Sequence, residues 1–156
     1  MNRNPLEKLM WSVALPGFGQ LLNRKYFKGI ILITLELLIN VLGNLNNAIL
    51  LSFHGNIADA IAIANYNWLL FYPCVYSFAM WDAMKDAGGG EYPYSFLPFV
   101  LSAFSATVGL VYSSKLTILG VLLGPVWLPI LFFFPGMAVG LLVKKILMNA
   151  FPVSSE

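Results

Sequence analysis

The chain has 156 residues, of which 59% are hydrophobic and 10% charged, with a formal net charge of +2 and a mean hydropathy of +0.77. A water-soluble domain carries about 25% charged residues, so the composition speaks against one and points to a single multi-span membrane domain over 1–156. The small charge and the scatter of the cations along the chain argue against nucleic acid as a partner, and one cysteine, Cys74, excludes an internal disulfide or a CxxC site.

The opening MNRNPLEKLMWSVALPG ends in small residues, but its apolar run is shorter than the roughly 7–15 residues of a secretory signal. It is therefore expected to be retained. No lipidation pattern is visible, since position two is Asn and the last residues are VSSE. Leu9 to Leu22 spans about 21 Å as ideal helix, too little for a hydrocarbon core of about 30 Å. Pro16-Gly17 weakens it further by removing a backbone donor and adding chain entropy. Residues 9–22 are thus expected to form a re-entrant, interfacial or short hairpin segment. Four longer apolar stretches follow at 29–53, 60–81, 96–112 and 116–143, each read as transmembrane. The last is broken by Gly124-Pro125, Pro129 and Pro135-Gly136, consistent with one kinked span or a span joined to a partial hairpin.

The cations test the topology. If 9–22 dips in and returns, Arg3, Lys8, Arg24, Lys25, Lys28, Lys85, Lys144 and Lys145 share one side and Lys115 stands alone on the other. If that segment crosses, Arg3, Lys8 and Lys115 oppose the remaining six. The positive-inside rule favours the more lopsided split, which places both termini in the cytoplasm.

Within the second stretch Glu36 is followed by Asn40, Asn44 and Asn47, a spacing that puts the four on one face of a continuous helix, with Asn46 off it. Such a face is costly against lipid. Two readings remain: a polar pathway with Glu36 as a cation or proton ligand, or interhelical hydrogen bonding, with Glu36 neutral or paired to a group such as Gln20. Asn65, Tyr72 and Tyr76 also share a face and could meet this stripe, while Trp11, Trp68 and Trp81 read as interface anchors.

No catalytic set is visible. His54 is the only histidine and has no second ligand nearby, so no metal site is expected. Cys74 reads as a buried inert thiol. Gly88-Gly89-Gly90 lacks the rest of a phosphate loop, and DAMKDAGGGEYPY reads as a flexible cytoplasmic connector in which Asp82, Asp86 and Glu91 are solvated. No cofactor is implied, and an enzyme is not expected. LPGFGQLLNRK and FPGMAVGLLVKK share a faint internal echo; inverted repeats are typical of transporters.

The stretch LPGFGQLLNRKYFKGI resembles the glycine-rich turn of the two-transmembrane-domain family and of related small bacterial membrane proteins with a Pro-Gly-x-Gly-Gln element. The matching residues are Pro16, Gly17, Gly19, Gln20, Asn23, Lys25, Tyr26, Lys28 and Gly29, within Leu6 to Leu42. Arg24 stands where a glycine is common, and the Asp-Arg-Phe signature of the animal members is absent. The resemblance implies a helix-turn-helix unit with a basic, glycine-dependent turn in a bacterial plasma membrane, and no enzymatic activity. The expected fold is an all-α integral membrane protein of about four transmembrane helices plus the N-terminal segment. The expected function is that of a non-enzymatic accessory or assembly component whose partners are other membrane proteins, a second copy, or anionic lipids. The alternative is a small oligomeric channel or transporter along Glu36 and the asparagines.

Overall fold

The computed structural model describes residues 4–91 and 93–151; Arg3 of the cation count and the terminal VSSE lie outside them. The protein is all-α, 78% helical. Helix α1, Pro5–Ala14, begins where the Asn4 side chain accepts from the Glu7 amide at 3.2 Å and Pro5 occupies the first turn. It stops before Pro16-Gly17, and Gly17 takes φ +105°, a left-handed conformation that a side chain would disfavour. The chain then folds back as α2, Phe18–Leu22. Gly19 comes to rest against Lys8 and Ser12 of α1, so 9–22 is a helix, a break and an antiparallel return.

Helix α3, Tyr26–Gly43, stops at Asn44, whose φ of 57° and ψ of 33° place it in the left-handed region that asparagine tolerates better than most residues. The expected stretch 29–53 is therefore two helices, α3 and α4, Leu45–Phe53. A turn at Gly55 leads into α5, Ile57–Ile63. The two ends of this excursion meet again: the Asn65 amide donates to the Gly43 carbonyl at 3.1 Å, and Asn44 Nδ2 to the Ile63 carbonyl at 3.3 Å.

The next expected stretch, 60–81, is likewise displaced. Helix α5 ends at Ile63 and the following run begins with α6, Tyr66–Leu69, and continues through right-handed Leu70 and Phe71 into α7, Tyr72–Met84. A wide helical turn over Lys85–Gly89 closes on Gly88 at φ +95°. Helix α8, Leu97–Tyr112, matches expectation to within a residue. Residues 116–123 are not helical; β1, Thr117–Ile118, pairs antiparallel with β2, Val121–Leu122. Positive φ at Leu119 and Gly120 gives the mirror-image turn that suits a two-residue hairpin. Helix α9, Gly124–Ala150, absorbs Pro129 and Pro135 within one 27-residue helix, about 40 Å long. The alternative of a partial hairpin there is set aside, and Lys144 and Lys145 belong to the helix.

Small residues make the tightest contacts. Helix α9 lies along α8, with a Cβ built on Gly136 2.5 Å from the Leu101 carbonyl and one on Gly140 2.5 Å from Pro98 Cα, so the backbones approach as closely as glycine permits. Ser102 and Ala106 of α8 are buried beside this seam. Helices α4 and α5 pack on the start of α9, where Trp127 Nε1 donates to the Ser52 carbonyl at 3.1 Å. A small apolar core gathers at Leu45, Leu69 and Leu110, while many large apolar side chains lie on the outside: Phe27 is 80% exposed, Val41 75% and Phe104 66%, more apolar surface than a water-soluble monomer ordinarily shows. Two helices, α3 and α9, are long and apolar enough to cross a membrane.

Candidate functional site

The glycine-rich turn is built around contacts its residue types allow. Gly17 crosses over Gly29 on the first turn of α3; a Cβ there would sit 2.6 Å from the Gly29 carbonyl oxygen. On the other side of α2, Gly19 sits between α1 and Ala83 of α7, where a Cβ on residue 19 would lie 2.6 Å from the Ala83 Cβ. Pro16 is buried among them. These contacts bring α2 onto the end of α7, close enough for side chains to bridge.

Three of the motif's polar residues do so. Gln20, fully buried, donates through Nε2 to the Ala79 carbonyl at 2.8 Å and to Asp82 Oδ2 at 3.1 Å. Asn23 Nδ2 donates to the Ala83 carbonyl at 2.8 Å, an oxygen in the last turn of α7, where helices leave acceptors to be satisfied from outside. Lys28 Nζ reaches Asp82 Oδ1 at 2.6 Å and Asp86 Oδ2 at 3.0 Å, short charge-assisted bonds. The result is a polar clamp between the α2–α3 turn and the foot of α7. Lys25 and Tyr26, the other motif residues, are exposed.

Asp82 and Asp86 therefore correct the expectation of solvated loop acids. Asp82 belongs to α7 with 7% of its side chain exposed, and Asp86 retains 17%. The missed signal was the i, i+4 spacing of the two carboxylates, which puts both on one helical face opposite a lysine. The Gln20 amide nitrogen is engaged by this clamp and not by Glu36, while its Oε1 has no partner among the described residues.

Glu36 is buried at 6% exposure on α3. The Tyr72 side chain lies beside its carboxyl, while Oε2 has no partner among the described residues. The Tyr72 and Tyr76 rings lie 5.5 Å apart, and the Tyr76 hydroxyl donates to the Val13 carbonyl of α1. The asparagines bond other groups. Because Asn44 turns the chain left-handed, Asn40 Nδ2 bonds Asn46 Oδ1 at 2.9 Å and Asn47 Nδ2 bonds Asn44 Oδ1 at 2.7 Å. Asn46, expected off the stripe, is thus Asn40's partner, and Asn47 is exposed. Tyr72 and Tyr76 meet Glu36 as their spacing suggested, but Asn65 stands at the closure of the α4–α5 excursion. Glu36 and Asn40 keep their i, i+4 relation on α3, but the asparagine side chains bond one another and the Ile63 carbonyl, not Glu36.

Two cavities flank the clamp. A polar basin of about 510 Å³ is lined by Lys8, Asn23, Arg24, Lys85, Asp86 and Glu91 with Gly88 and Gly90. An apolar groove of about 410 Å³ between α3 and α7 is lined chiefly by Phe27, Ile31, Leu35, Cys74 and Phe78, with Lys28 and Asp82 at one end. Cys74 is exposed, against the expectation of a buried thiol, because it faces this groove. His54 is exposed on its turn, and among the described residues no group of three or more His, Cys, Asp or Glu could hold a metal. Comparison of the chain with family models, with curated proteins and with solved structures finds no match.

Proposed function

We propose that this chain is a multi-pass integral membrane protein that works as a non-enzymatic accessory or assembly component, crossing the bilayer with α3, α6–α7, α8 and α9 and dipping into it with α1–α2. Support for the crossings comes from the outward large apolar residues and the inward small ones. Support for the topology comes from the clamp and the α8–α9 seam. Lys28 bonds the foot of α7, Lys8, Arg24 and Lys85 line one basin, and Gly140 lies against Pro98 at the start of α8. All the described cations except Lys115 therefore gather at one end of the bundle, the cytoplasmic end under the positive-inside rule. The turn's resemblance to small bacterial proteins makes a bacterial plasma membrane the proposed location.

The observation that carries the accessory role is that the intramembrane polar groups bond locally and line neither cavity beside the clamp. Glu36 lies beside Tyr72, Asn40 bonds Asn46 and Asn47 bonds Asn44, and neither cavity beside the clamp is lined by any of them. A transport route would need these groups to face a common hydrated space. Partners are then other membrane proteins, a second copy, or anionic lipids drawn to the basic turn at about 1 kcal/mol per cation. Crosslinking in membranes followed by detergent extraction should recover the chain with a stoichiometric membrane partner or a second copy. A monodisperse monomer alone would count against the proposal. Liposomes holding the purified chain should stay tight to small ions; a leak abolished by Glu36→Gln would favour the channel.

A further inference from the structure

The basin and the groove meet at one ion-pair cluster. Lys28 bonds Asp82, which stands with it at the end of the apolar groove, and Asp86, which lines the polar basin. One side of this partition is apolar and opens along the outer faces of α3 and α7; the other is polar and lies at the foot of the bundle. A ligand that fills both must have an apolar chain joined to a polar head.

The charges in the basin describe that head. Lys8 is buried and paired with Glu7 at 3.1 Å, and Asp86 is held by Lys28. Among the described residues no ion pair engages Arg24, Lys85 or Glu91, although Lys85 also lies 4.8 Å from the Trp81 ring centroid. Two cations and one carboxylate are thus available around the same space. A phosphodiester meets the cations, and a primary ammonium beside it meets the carboxylate. A purely anionic head would leave Glu91 facing a like charge.

Resting on the membrane reading above, we propose that the basin and groove together bind one phosphoethanolamine-headed phospholipid. Its phosphate lies between Arg24 and Lys85, its ammonium at Glu91, and one acyl chain along Phe27, Ile31, Leu35, Cys74 and Phe78. The Lys28 ammonium, which uses two of its three protons on Asp82 and Asp86, holds the junction between head and chain.

The test uses the full chain in nanodiscs, with lipids of identical acyl chains and native mass spectrometry to count retained lipid. Phosphatidylethanolamine should be retained at about tenfold lower concentration than phosphatidylcholine, a difference of about 1.4 kcal/mol. Glu91→Gln should erase that preference, and Arg24→Gln with Lys85→Gln should weaken both lipids. Cys74→Trp, which places its bulk in the open groove, should abolish retention of either while leaving the helical circular dichroism intact. Equal retention of the two lipids would overturn the proposal. So would preferential retention of phosphatidylglycerol unaffected by Glu91→Gln, which would reveal simple attraction to anionic lipid. Failure of the chain to co-float with lipid vesicles would instead overturn the membrane reading on which the site rests.

Discussion

Replacing Lys28 by methionine keeps the length of the side chain and removes only its ammonium, so it isolates the electrostatic part of the clamp. Asp82 would keep Gln20 Nε2 at 3.1 Å as its remaining side-chain donor, with 7% of its own side chain exposed. Removing one partner of a fully buried pair costs about 3–5 kcal/mol, and an exposed pair contributes about 0–1 kcal/mol. With 45% of the Lys28 side chain exposed, water screens part of the loss, and the expected destabilisation falls between these limits at about 2–3 kcal/mol. Adding Asp82→Asn discharges the stranded carboxylate while preserving its shape and an acceptor for Gln20. The double variant should therefore be more stable than Lys28→Met alone by about 1 kcal/mol. Denaturant unfolding in detergent micelles, followed by the fluorescence of the four tryptophans, measures both. A Lys28→Met protein within about 0.5 kcal/mol of wild type, or a double variant as unstable as the sum of the singles, would refute the clamp as a coupled unit.

Gly19→Ala should cost about 1–3 kcal/mol in the same assay, because its Cβ would meet the Lys8 carbonyl, Ser12 Oγ and Ala83 Cβ together; an unchanged midpoint would mean that α2 does not pack between α1 and α7. Gly140→Leu should separate α8 from α9, since the nearest atoms are backbone atoms of Leu97 and Pro98, and so lower the unfolding midpoint in the same assay; an unchanged midpoint would mean that the two helices do not meet at this glycine. Lys25→Cys and Leu119→Cys, both at exposed positions, should react with a membrane-impermeant thiol reagent from opposite sides of sealed vesicles in a Cys74→Ser background. Labelling of both from the same side would contradict the proposed four crossings. Glu36→Gln should leave the unfolding midpoint within about 1 kcal/mol of wild type, because Oε2 has no partner to lose; a collapse of the fold would show that the charge is needed.

Helix α8 could be read nearly to the residue because its apolar run, aromatic ends and lack of internal breaks all agree with a single helix. The polar stripe failed for a local reason. Its spacing assumed that α3 continued through Asn44, and one left-handed residue rotated everything after it, so Asn46 found Asn40 and Asn47 found Asn44. Hydropathy alone joins residues 60–63 to the next stretch, because an apolar turn of α5 looks like part of a membrane helix; its packing on α9 distinguishes it. The glycine motif was visible as a turn, and its cations were visible as a sidedness signal. What it bonds to was not, since Asp82 is 54 residues from Lys28 along the chain and stands beside a glycine run that local composition assigns to a loop.

The α4–α5 excursion leaves the bundle at Gly43 and Asn44 and returns to them at Ile63 and Asn65, so its base is closed by hydrogen bonds of its own. Its tip does a different job, holding Trp127 and Gly124 at the beginning of the last helix. Base and tip are separable parts: the α3-to-α6 passage is made by the base whatever length of chain lies above it, whereas the anchorage of α9 depends on the reach of the two helices. Such a segment can be lengthened or recombined without rerouting the chain through the bundle, and a shortened version would leave the outline of the molecule intact while releasing one end of its longest helix.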